Sequence, residues 1–221
     1  MKEIAIITGG DSGIGRAVAL AYAREGANVL ISYLEEHEDA KETARLVEEA
    51  GKKAVLVPGD IGDQEHCKSI VEKAIAEFGQ IDILVNNAGS RPGKDRVPVV
   101  ELEDEAFDEV IRVNVRGTYL ASQIVTRHMI ARGGGGKIIV ISSGAGKRGI
   151  ARYGVYCASK FALIGFTQAL AQELPPGLTA VPLNPGIIDT DMLRSCFGSS
   201  AAGYPNPSQW SKKAVPFLLS L

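Results

Sequence analysis

The chain alternates between short apolar segments and longer segments in which apolar residues recur every three or four positions. The short segments are rich in β-branched residues and are predicted to be strands, at 3–8, 27–33, 53–59, 81–87, 137–143 and 179–183. The longer segments are predicted to be helices, at 13–25, 37–51, 63–78, 105–132, 154–174 and about 207–219. Strands that alternate with helices of this length indicate βαβ units.

The predicted strands are apolar throughout instead of alternating between apolar and polar residues, which is typical of a parallel sheet covered by helices on both faces. Crossover connections in such a sheet are right-handed. The pattern therefore predicts an α/β fold, with a doubly wound parallel sheet in a three-layer αβα arrangement. No low-complexity linker and no repeat interrupts the pattern, so residues 1–221 are expected to form a single domain.

Composition and charge narrow the possible functions. Hydrophobic residues make up 45% of the chain and charged residues 23%, and the formal net charge is −2. Without an excess of one sign, a nucleic-acid or membrane-surface partner is not expected. The first apolar run is too short for a signal sequence and no run approaches the length of a membrane span, which favours a cytoplasmic protein.

The cysteines and histidines are widely spread, at positions 67, 157 and 196 and at positions 37, 66 and 128. The cysteines include no C-x-x-C pair, which favours reduced thiols over a disulfide framework or a zinc site. The histidines fall on separate predicted helices, so no metal site is expected. Cys157 has no histidine near it in the sequence and is interpreted as a small packing residue.

A glycine-rich stretch, TGGDSGIG, follows the first predicted strand and opens the first predicted helix. Gly9, Gly13 and Gly15 stand where a backbone turns tightly, approaches a pyrophosphate and lets a helix meet a sheet, with Ser12 and Ile14 between them. The helix that follows offers unpaired N–H groups to an anion. A plain tight turn would use similar glycines, but the position between strand and helix favours a dinucleotide.

Four polar side chains could converge at the carboxyl ends of the strands, where open α/β sheets bind ligands. Tyr156 and Lys160, in YCASK, are four residues apart and share one face of a predicted helix. Ser143 ends the predicted strand 137–143, and Asn114 lies in the long predicted helix before it. An isolated tyrosine–lysine pair at this spacing is usually just solvent-exposed, so the other motifs must indicate whether this pair is catalytic.

These motifs resemble those of the short-chain dehydrogenase/reductase family. TGGDSGIG, NNAG (86–89), Asn114 in N-V-x-G, Ser143, YCASK and NPGIIDT (184–190) match the family in order and spacing, from residue 3 to about 193. The resemblance implies a Rossmann-like fold and hydride transfer between NAD(P)(H) and a carbonyl or alcohol substrate. The front half resembles bacterial general-stress and aldehyde reductases and the rear half pterin-aldehyde reductases, neither of which specifies a substrate.

The resemblance also implies catalytic roles. A free phenol has a pKa near 10, and an adjacent Lys160 ammonium favours its phenolate form. Tyr156 would then exchange a proton with the substrate oxygen while Ser143 donates a hydrogen bond to the same oxygen. Lys160 would also hold the nicotinamide ribose, and Asn114 would position a water that relays protons to Lys160. A catalytically idle, cofactor-bound sensor or scaffold is the alternative, and the presence of both Tyr156 and Lys160 favours the enzyme.

Further cofactor contacts follow from the resemblance alone. Asp60 and Ile61 would lie at the adenine, and NNAG would form the turn beside the adenine ribose. The loop of NPGIIDT would hold the carboxamide. The remaining positions implied in these two loops are Asn87, Ala88, Gly89, Pro185, Gly186, Ile188 and Thr190. Asn86 is equally consistent with stabilising the sheet.

The end of the second predicted strand bears on the choice of cofactor. An acidic residue there normally binds the ribose 2′-hydroxyl and selects NAD, but this chain has Ser32 and Tyr33. The hydroxyl pair favours NADP(H), with NAD(H) possible because Glu35 and Glu36 follow closely. No arginine stands directly before Gly13, where Ser12 does, although Arg16 could reach a 2′-phosphate.

Two features are expected to form the substrate entrance. Residues 194–211 are rich in small and turn residues and occupy the place of a substrate lid, although a surface loop is an equal alternative. Basic residues follow NNAG and lie between the predicted catalytic serine and tyrosine, namely Arg91, Lys94, Arg96, Lys147, Arg148 and Arg152. These residues suggest a preference for polar or anionic carbonyl substrates.

The last strand of the family is expected to be missing. The family has seven strands, but this sequence stops directly after the helix near 207–219, so six are predicted and 179–183 would lie at an edge. Pro182 is tolerated at an edge because no neighbouring strand needs its N–H. Family members pair through the helices corresponding to 105–132 and 154–174 and, separately, through the last strand and helix. A homodimer is therefore favoured, with a homotetramer as the alternative.

Overall fold

A six-stranded parallel sheet forms the centre of the molecule. The computed structural model describes residues 3–90, 93 and 95–220. The strands are β1 Ile4–Thr8, β2 Asn28–Tyr33, β3 Ala54–Pro58, β4 Ile83–Asn86, β5 Gly136–Ile141 and β6 Leu178–Leu183. They pair in parallel in the order β3-β2-β1-β4-β5-β6. The predicted α/β fold with a Rossmann-like doubly wound sheet is confirmed.

Helices follow the strands and cover both faces of the sheet. They are α1 Gly13–Arg24, α2 His37–Glu49, α3 Gln64–Phe78, α4 Asp104–Val110, α5 Thr118–Arg132, α6 Gly154–Glu173, α7 Asp191–Phe197 and α8 Pro207–Leu219. A π-helical segment, Ile111–Gly117, joins α4 to α5, and short 3-10 turns lie at Val99–Glu101, Gly144–Gly146 and Gly198–Gly203. None of the described helices is long and apolar enough to cross a membrane.

Two apolar cores hold the three layers together, because successive residues of each strand point to opposite faces. Ile6 and Leu30 pack with α3, α5 and α6 on one face. Ile7 and Ile31 pack with α1, α2 and α8 on the other. All four side chains are fully buried, and burial of each stabilises the fold by roughly 1.5–3 kcal/mol. Since both faces are covered, the strands have no reason to alternate in polarity.

The strand order reverses between β1 and β4, and this reversal positions the site. The chain runs outward from β1 to β3 and then returns to place β4 on the other side of β1. In open α/β sheets such a switch point opens a crevice at the carboxyl ends of the strands. The glycine-rich loop after β1 and the NNAG loop after β4 both begin at this crevice.

Two predicted elements differ from the structure. The helix predicted at 105–132 is interrupted by the π-helical segment, where Gly117 packs so closely on Ile61 that a Cβ would lie 2.8 Å from the Ile61 Cγ2 atom. The segment 194–211 contains the end of α7, a 3-10 turn and the start of α8, so it is largely helical and not an irregular loop.

Strand β6 forms one edge of the described sheet, as predicted, and its Pro182 lies opposite Val140 of β5. Helix α8 packs against α1 on the face of the sheet, with Val215 and Leu218 fully buried in that core. Lys137, at the start of β5, donates a hydrogen bond to the carbonyl oxygen of Leu219 and ties the end of α8 to the sheet.

Candidate active site

The glycine-rich loop forms a tight backbone pocket at the end of β1. Gly9 and Gly13 have φ values of +60° and +52°, which favour glycine. A Cβ on Gly15 would lie 2.0 Å from the Gly9 carbonyl oxygen, so no side chain fits there. Ser12 is exposed at the N-cap of α1 and Ile14 is half-buried in its first turn. Because the Ser12 side chain does not cap α1, the first N–H groups of the helix are left for an anion such as a pyrophosphate.

The loop after β4 is fastened to the loop after β1. The Thr8 hydroxyl accepts hydrogen bonds from the backbone N–H groups of Asn87 and Ala88, both at 3.0 Å. The Asn87 side chain donates to the carbonyl oxygens of Thr8 and Gly9, at 3.1 and 2.8 Å. Thr8 was not identified from the sequence, although its place beside the glycines was visible there. The half-buried Gly89 continues the turn.

Asn86 stabilises the sheet, which is one of the two interpretations that its sequence allowed. Its side chain is 3% exposed and donates a hydrogen bond to the Ser122 hydroxyl of α5 at 3.0 Å. It therefore faces the helical layer and not the crevice.

The end of β2 has two hydroxyl groups that are already bonded within the protein. Ser32 is 2% exposed, and its hydroxyl lies 3.1 Å from the Nε2 atom of His66. The Tyr33 hydroxyl lies 3.0 Å from the Nδ1 atom of His37, and the two rings meet edge to face. Burial lowers the pKa of His66, and the nearby carboxylate of Asp60 partly opposes that effect. The Ser32 side chain thus belongs to the core, while Tyr33 and His37 form the outer part of this corner.

Arg16 is held by the protein instead of facing the crevice. Its Nε atom donates to the Asp11 carbonyl oxygen and the Thr43 hydroxyl, both at 2.9 Å. Its terminal Nη2 atom donates to the carboxylate of Asp39 at 2.8 Å. That Arg16 reaches a 2′-phosphate stays a prediction, and in this structure its guanidinium is paired with Asp39. Arg16 instead braces the glycine-rich loop against α2.

The turn after β3 carries the two predicted adenine contacts, Asp60 and Ile61. The carboxylate of Asp60 accepts a hydrogen bond from the Gly62 N–H at 2.7 Å and forms an ion pair with Arg112. Ile61 is 7% exposed and packs against Gly117 of the π-helical segment. Both predicted adenine contacts therefore lie at the junction between β3 and the segment that carries Asn114.

Lys160 places an ammonium group under the predicted catalytic tyrosine. It is 6% exposed, and its Nζ atom donates a hydrogen bond to the Ile141 carbonyl oxygen at 3.0 Å. The same Nζ atom lies 5.7 Å from the ring centroid of Tyr156. Burial lowers the pKa of Lys160 to about 8. The sequence spacing predicted this shared face of α6.

Asn114 supports the helical turn that carries Tyr156. It is 1% exposed, its Oδ1 atom accepts from the Ser90 N–H at 2.8 Å, and its Nδ2 atom donates to the Ser159 hydroxyl at 3.0 Å. The Ser159 hydroxyl donates in turn to the Tyr156 carbonyl oxygen at 2.8 Å. Ser159 was missed in the sequence, although its place between Tyr156 and Lys160 was a signal. π-Helical turns often mark functional positions, and this one carries Asn114.

Ser143 lies two residues beyond the carbonyl that binds Lys160. Its hydroxyl accepts a hydrogen bond from the Ala145 N–H at 3.2 Å, and the side chain is half-buried. The turn that follows packs on α6, because a Cβ on Gly146 would lie 2.7 Å from the Lys160 carbonyl oxygen. The structure therefore brings Ser143 to the same end of β5 as Lys160 and Tyr156.

The loop after β6 closes over the glycine-rich loop. A Cβ on Gly13 would lie 3.4 Å from the Thr190 Cγ2 atom, so the two loops are in contact. The Thr190 hydroxyl caps α7 by accepting from the Leu193 N–H at 3.2 Å. The other predicted carboxamide contacts are Pro185, half-buried, Gly186, exposed, and Ile188, 6% exposed.

The predicted lid begins within α7, and its first residue, Arg194, is paired with Asp189 just before the helix. The guanidinium of Arg194 donates to both carboxylate oxygens of Asp189, at 2.8 and 3.0 Å. The rings of Phe197 and Tyr204 meet edge to face with centroids 6.3 Å apart. Phe197 and Tyr204 of this segment are both exposed.

The basic residues predicted at the entrance are only partly described. Arg91 and Lys94 lie outside the described residues. Arg96 lies over the ring of Tyr153, which contacts Tyr156. The other three are exposed on the turn before α6, namely Lys147, Arg148 and Arg152.

The remaining thiols and histidines show no second reaction centre in the part of the chain that the structure describes. Cys67 is buried with its Sγ atom 3.2 Å from the Ile61 carbonyl oxygen, and burial raises the pKa of this thiol to about 12. Cys157 is buried in α6, as its interpretation as a packing residue requires. No cluster of three or more potential metal-ligating side chains occurs among the described residues.

Comparison with known proteins gives one consistent result. Residues 3–199 match the sequence model described as short chain dehydrogenase. The chain is 41% identical over 221 residues to a sorbitol dehydrogenase of Cereibacter sphaeroides, covering 97% of this chain and 83% of that protein. It is 34% identical over 216 residues to an NADPH-dependent pterin aldehyde reductase of Arabidopsis thaliana, covering 98% and 87%.

A solved structure agrees with these relatives. A short chain dehydrogenase from Burkholderia cenocepacia in complex with NADP superposes with a TM-score of 0.89 at 34% identity, covering 98% of this chain and 90% of that one. The chain spans between 66% and 87% of the length of the curated relatives it matches.

Proposed function

The chain belongs to the short-chain dehydrogenase family and is an NAD(P)-dependent oxidoreductase, and we propose that it interconverts an aldehyde or ketone and the corresponding alcohol with Tyr156 as the general acid and base. One observation carries the proposal. The buried Lys160 ammonium lies 5.7 Å from the Tyr156 ring while it is anchored to the Ile141 carbonyl oxygen. A buried cation at this distance stabilises the phenolate form that proton exchange requires.

The residues of the crevice fit a dinucleotide. Gly15 lets α1 begin tightly against the glycine-rich loop, and the Ser12 side chain does not cap the helix, so the first N–H groups of α1 are left for phosphate oxygens. When bound there, the nicotinamide cofactor supplies or accepts the hydride. We propose that Lys160 holds the nicotinamide ribose and that Thr190 lies at the carboxamide.

The protein groups have separate roles in the reduction. Tyr156 gives its hydroxyl proton to the carbonyl oxygen, which becomes the alcohol, and Ser143 donates a hydrogen bond to the same oxygen. Lys160 compensates the negative charge left on Tyr156. Asn114 and Ser159 act as positioning residues, since they hold the backbone of the turn that carries Tyr156.

We further propose that NADP(H) is the preferred cofactor. The end of β2 carries Ser32 and Tyr33 where an acidic residue would select NAD. One relative is described as NADPH-dependent and one structural neighbour is an NADP complex, which supports the proposal. Two observations weigh against NADP(H). The carboxylates of Glu35 and Glu36 follow Tyr33 and would repel a 2′-phosphate, and the guanidinium of Arg16 is already paired with Asp39.

The experiment is a panel of aldehydes, ketones and alcohols, assayed with both cofactors at the nicotinamide absorbance band. We expect turnover of carbonyl compounds, with kcat/KM for NADPH higher than for NADH. Absence of turnover with every carbonyl and alcohol, while binding of either cofactor is retained, would support the idle sensor or scaffold instead. A tenfold preference for NADH would overturn the cofactor proposal alone.

We also propose that the protein is a homodimer that pairs through α5 and α6. These helices carry exposed apolar side chains, including Tyr119, Ile130 and Phe161. We expect light scattering at low micromolar concentration to give the dimer mass and Phe161→Glu to give the monomer. Phe217→Glu, the same change at an exposed position of α8, is the control and is expected to remain dimeric. A monomeric unmodified protein would contradict the proposal.

A further inference from the structure

Arg96 stacks on the ring of Tyr153, which in turn contacts the ring of the proposed proton donor, Tyr156. Its guanidinium carbon lies 5.2 Å from the ring centroid of Tyr153. The Tyr153 ring lies 6.5 Å from the Tyr156 ring, with the ring planes at 69°. A half-buried cation is therefore held two rings away from the proposed proton donor, and stacking on Tyr153 fixes its position.

The charge of Arg96 is not neutralised by a carboxylate. Its guanidinium lies over the Tyr153 ring, and none of the carboxylates in the described part of the chain forms an ion pair with it. The adjacent Asp95 is 7% exposed, and its carboxylate accepts a hydrogen bond from the Gly93 N–H at 2.8 Å. An arginine that is partly removed from water and lacks a carboxylate partner suits an anionic ligand, because its planar donors match a carboxylate or phosphate.

The surrounding charges define the side from which an anion approaches. Glu103, Glu105 and Glu109 line a neighbouring cleft together with Asp95 and Ser90. Glu109 is paired with Arg112, but Glu105 and the buried Asp95 add further carboxylates to this cleft and disfavour an anion there. On its other side Arg96 lies over the ring of Tyr153, which contacts the ring of Tyr156.

We propose that Arg96 is a specificity-determining residue that binds an anionic group of the substrate. The substrate class is a carbonyl compound that carries a carboxylate or phosphate several bonds from the carbonyl carbon, a separation that spans the two rings. This inference rests on the proposed carbonyl reduction by Tyr156. The sequence suggested a basic entrance in general, and the structure assigns the role to Arg96.

The test compares ω-oxo carboxylates of increasing length with their methyl esters, using NADPH and NADH. For the unmodified enzyme we expect kcat/KM for the acid to exceed that for its ester by about 10–100-fold at one or more lengths, as for a charge-assisted hydrogen bond. In Arg96→Gln this ratio is expected to fall towards one, and Arg96→Lys is expected to recover part of it. A rise in ionic strength should lower the ratio in the unmodified enzyme.

Arg24→Gln is the matched control. Arg24 is exposed in the last turn of α1, so its loss changes the net charge equally without altering the entrance, and the ratio should stay as in the unmodified enzyme. Melting temperatures establish that each variant is folded. An unmodified enzyme that reduces no acid faster than its ester overturns the inference, as does an unchanged ratio in Arg96→Gln. Turnover of esters without a preference for acids leaves the proposed function standing, whereas failure with all carbonyl compounds rejects the function itself.

Discussion

Replacing Tyr156 by Phe is expected to lower turnover by about 10²–10⁴-fold, the usual contribution of general acid–base catalysis, with little change in cofactor affinity. The change removes the hydroxyl group and keeps the ring. The contacts of that ring with Lys160 and Tyr153 do not depend on the hydroxyl, so the local packing is retained. The loss should therefore fall on kcat and not on binding.

The measurement combines steady-state kinetics with a fluorescence titration of the cofactor. Tyr153→Phe, the same change on the neighbouring ring, is the control and is expected to keep turnover within a few-fold of the unmodified enzyme. More than about a tenth of normal turnover in Tyr156→Phe would show that another group supplies the proton.

The layout of the sheet could be predicted because burial dictates it. Strands covered on both faces need apolar side chains at every position, so each of the six strands was visible as an apolar run. Its exact ends were not visible. β4 begins at Ile83, later than the pattern indicates, and the side chain of the preceding Asp82 accepts the N–H of Ile4 and pairs with Arg132. Such a contact joins residues far apart in sequence and leaves no periodic signal.

The helical differences have two causes. Apolar residues recur at helical spacing on both sides of the π-helical segment, so the sequence pattern predicts one helix over 105–132. The close packing of Gly117 on Ile61 is a tertiary contact, which the pattern does not show. Helix α7 could have been recognised. Thr190 is a good N-cap residue three positions before Leu193, and Arg194 follows at helical spacing. The many small and turn residues beyond it instead suggested a substrate lid, with a surface loop as the equal alternative.

The candidate site divides in the same way. Tyr156 and Lys160 were predicted together because they lie one helical turn apart. Asn114 was placed at the site by motif, but its bond to Ser159 joins positions 45 residues apart and could only come from the structure. Arg16 was singled out as a cation near the glycine-rich loop, but its bond to Asp39 on α2 could only come from the structure. Charge in a sequence identifies a cation but not its partner.

Lys160 carries the second large prediction, because its burial opposes stability while its charge serves catalysis. Burial lowers its pKa from 10.5 to about 8. In the unfolded chain the ammonium stays protonated up to the ordinary value, so between these two pH values the unfolded chain binds more protons. The free energy of unfolding therefore rises with pH across that window. Below pH 8 the folded protein bears the full penalty of the buried charge.

Lys160→Met is therefore expected to stabilise the protein at pH 7 and to remove its activity. Removing the buried charge relieves its desolvation penalty, while the hydrogen bond to the Ile141 carbonyl oxygen is lost. The free energy of unfolding is then expected to rise by a net amount on the order of 2 kcal/mol. A chain of this size would then melt about 4–8 °C higher. Turnover should fall by at least about 10²-fold, because the phenolate of Tyr156 loses its cation.

Thermal and urea denaturation at pH 7 and pH 10 test the linkage directly. We expect the stability gain of Lys160→Met to shrink as pH rises from 7 to 10, because the unmodified protein sheds the buried charge across that interval. Lys212→Met, at an exposed position of α8, should change neither stability nor its pH dependence. A Lys160→Met protein that is less stable than the unmodified one at pH 7, or a gain that does not vary with pH, would show that the ammonium is well solvated or paired in the folded state.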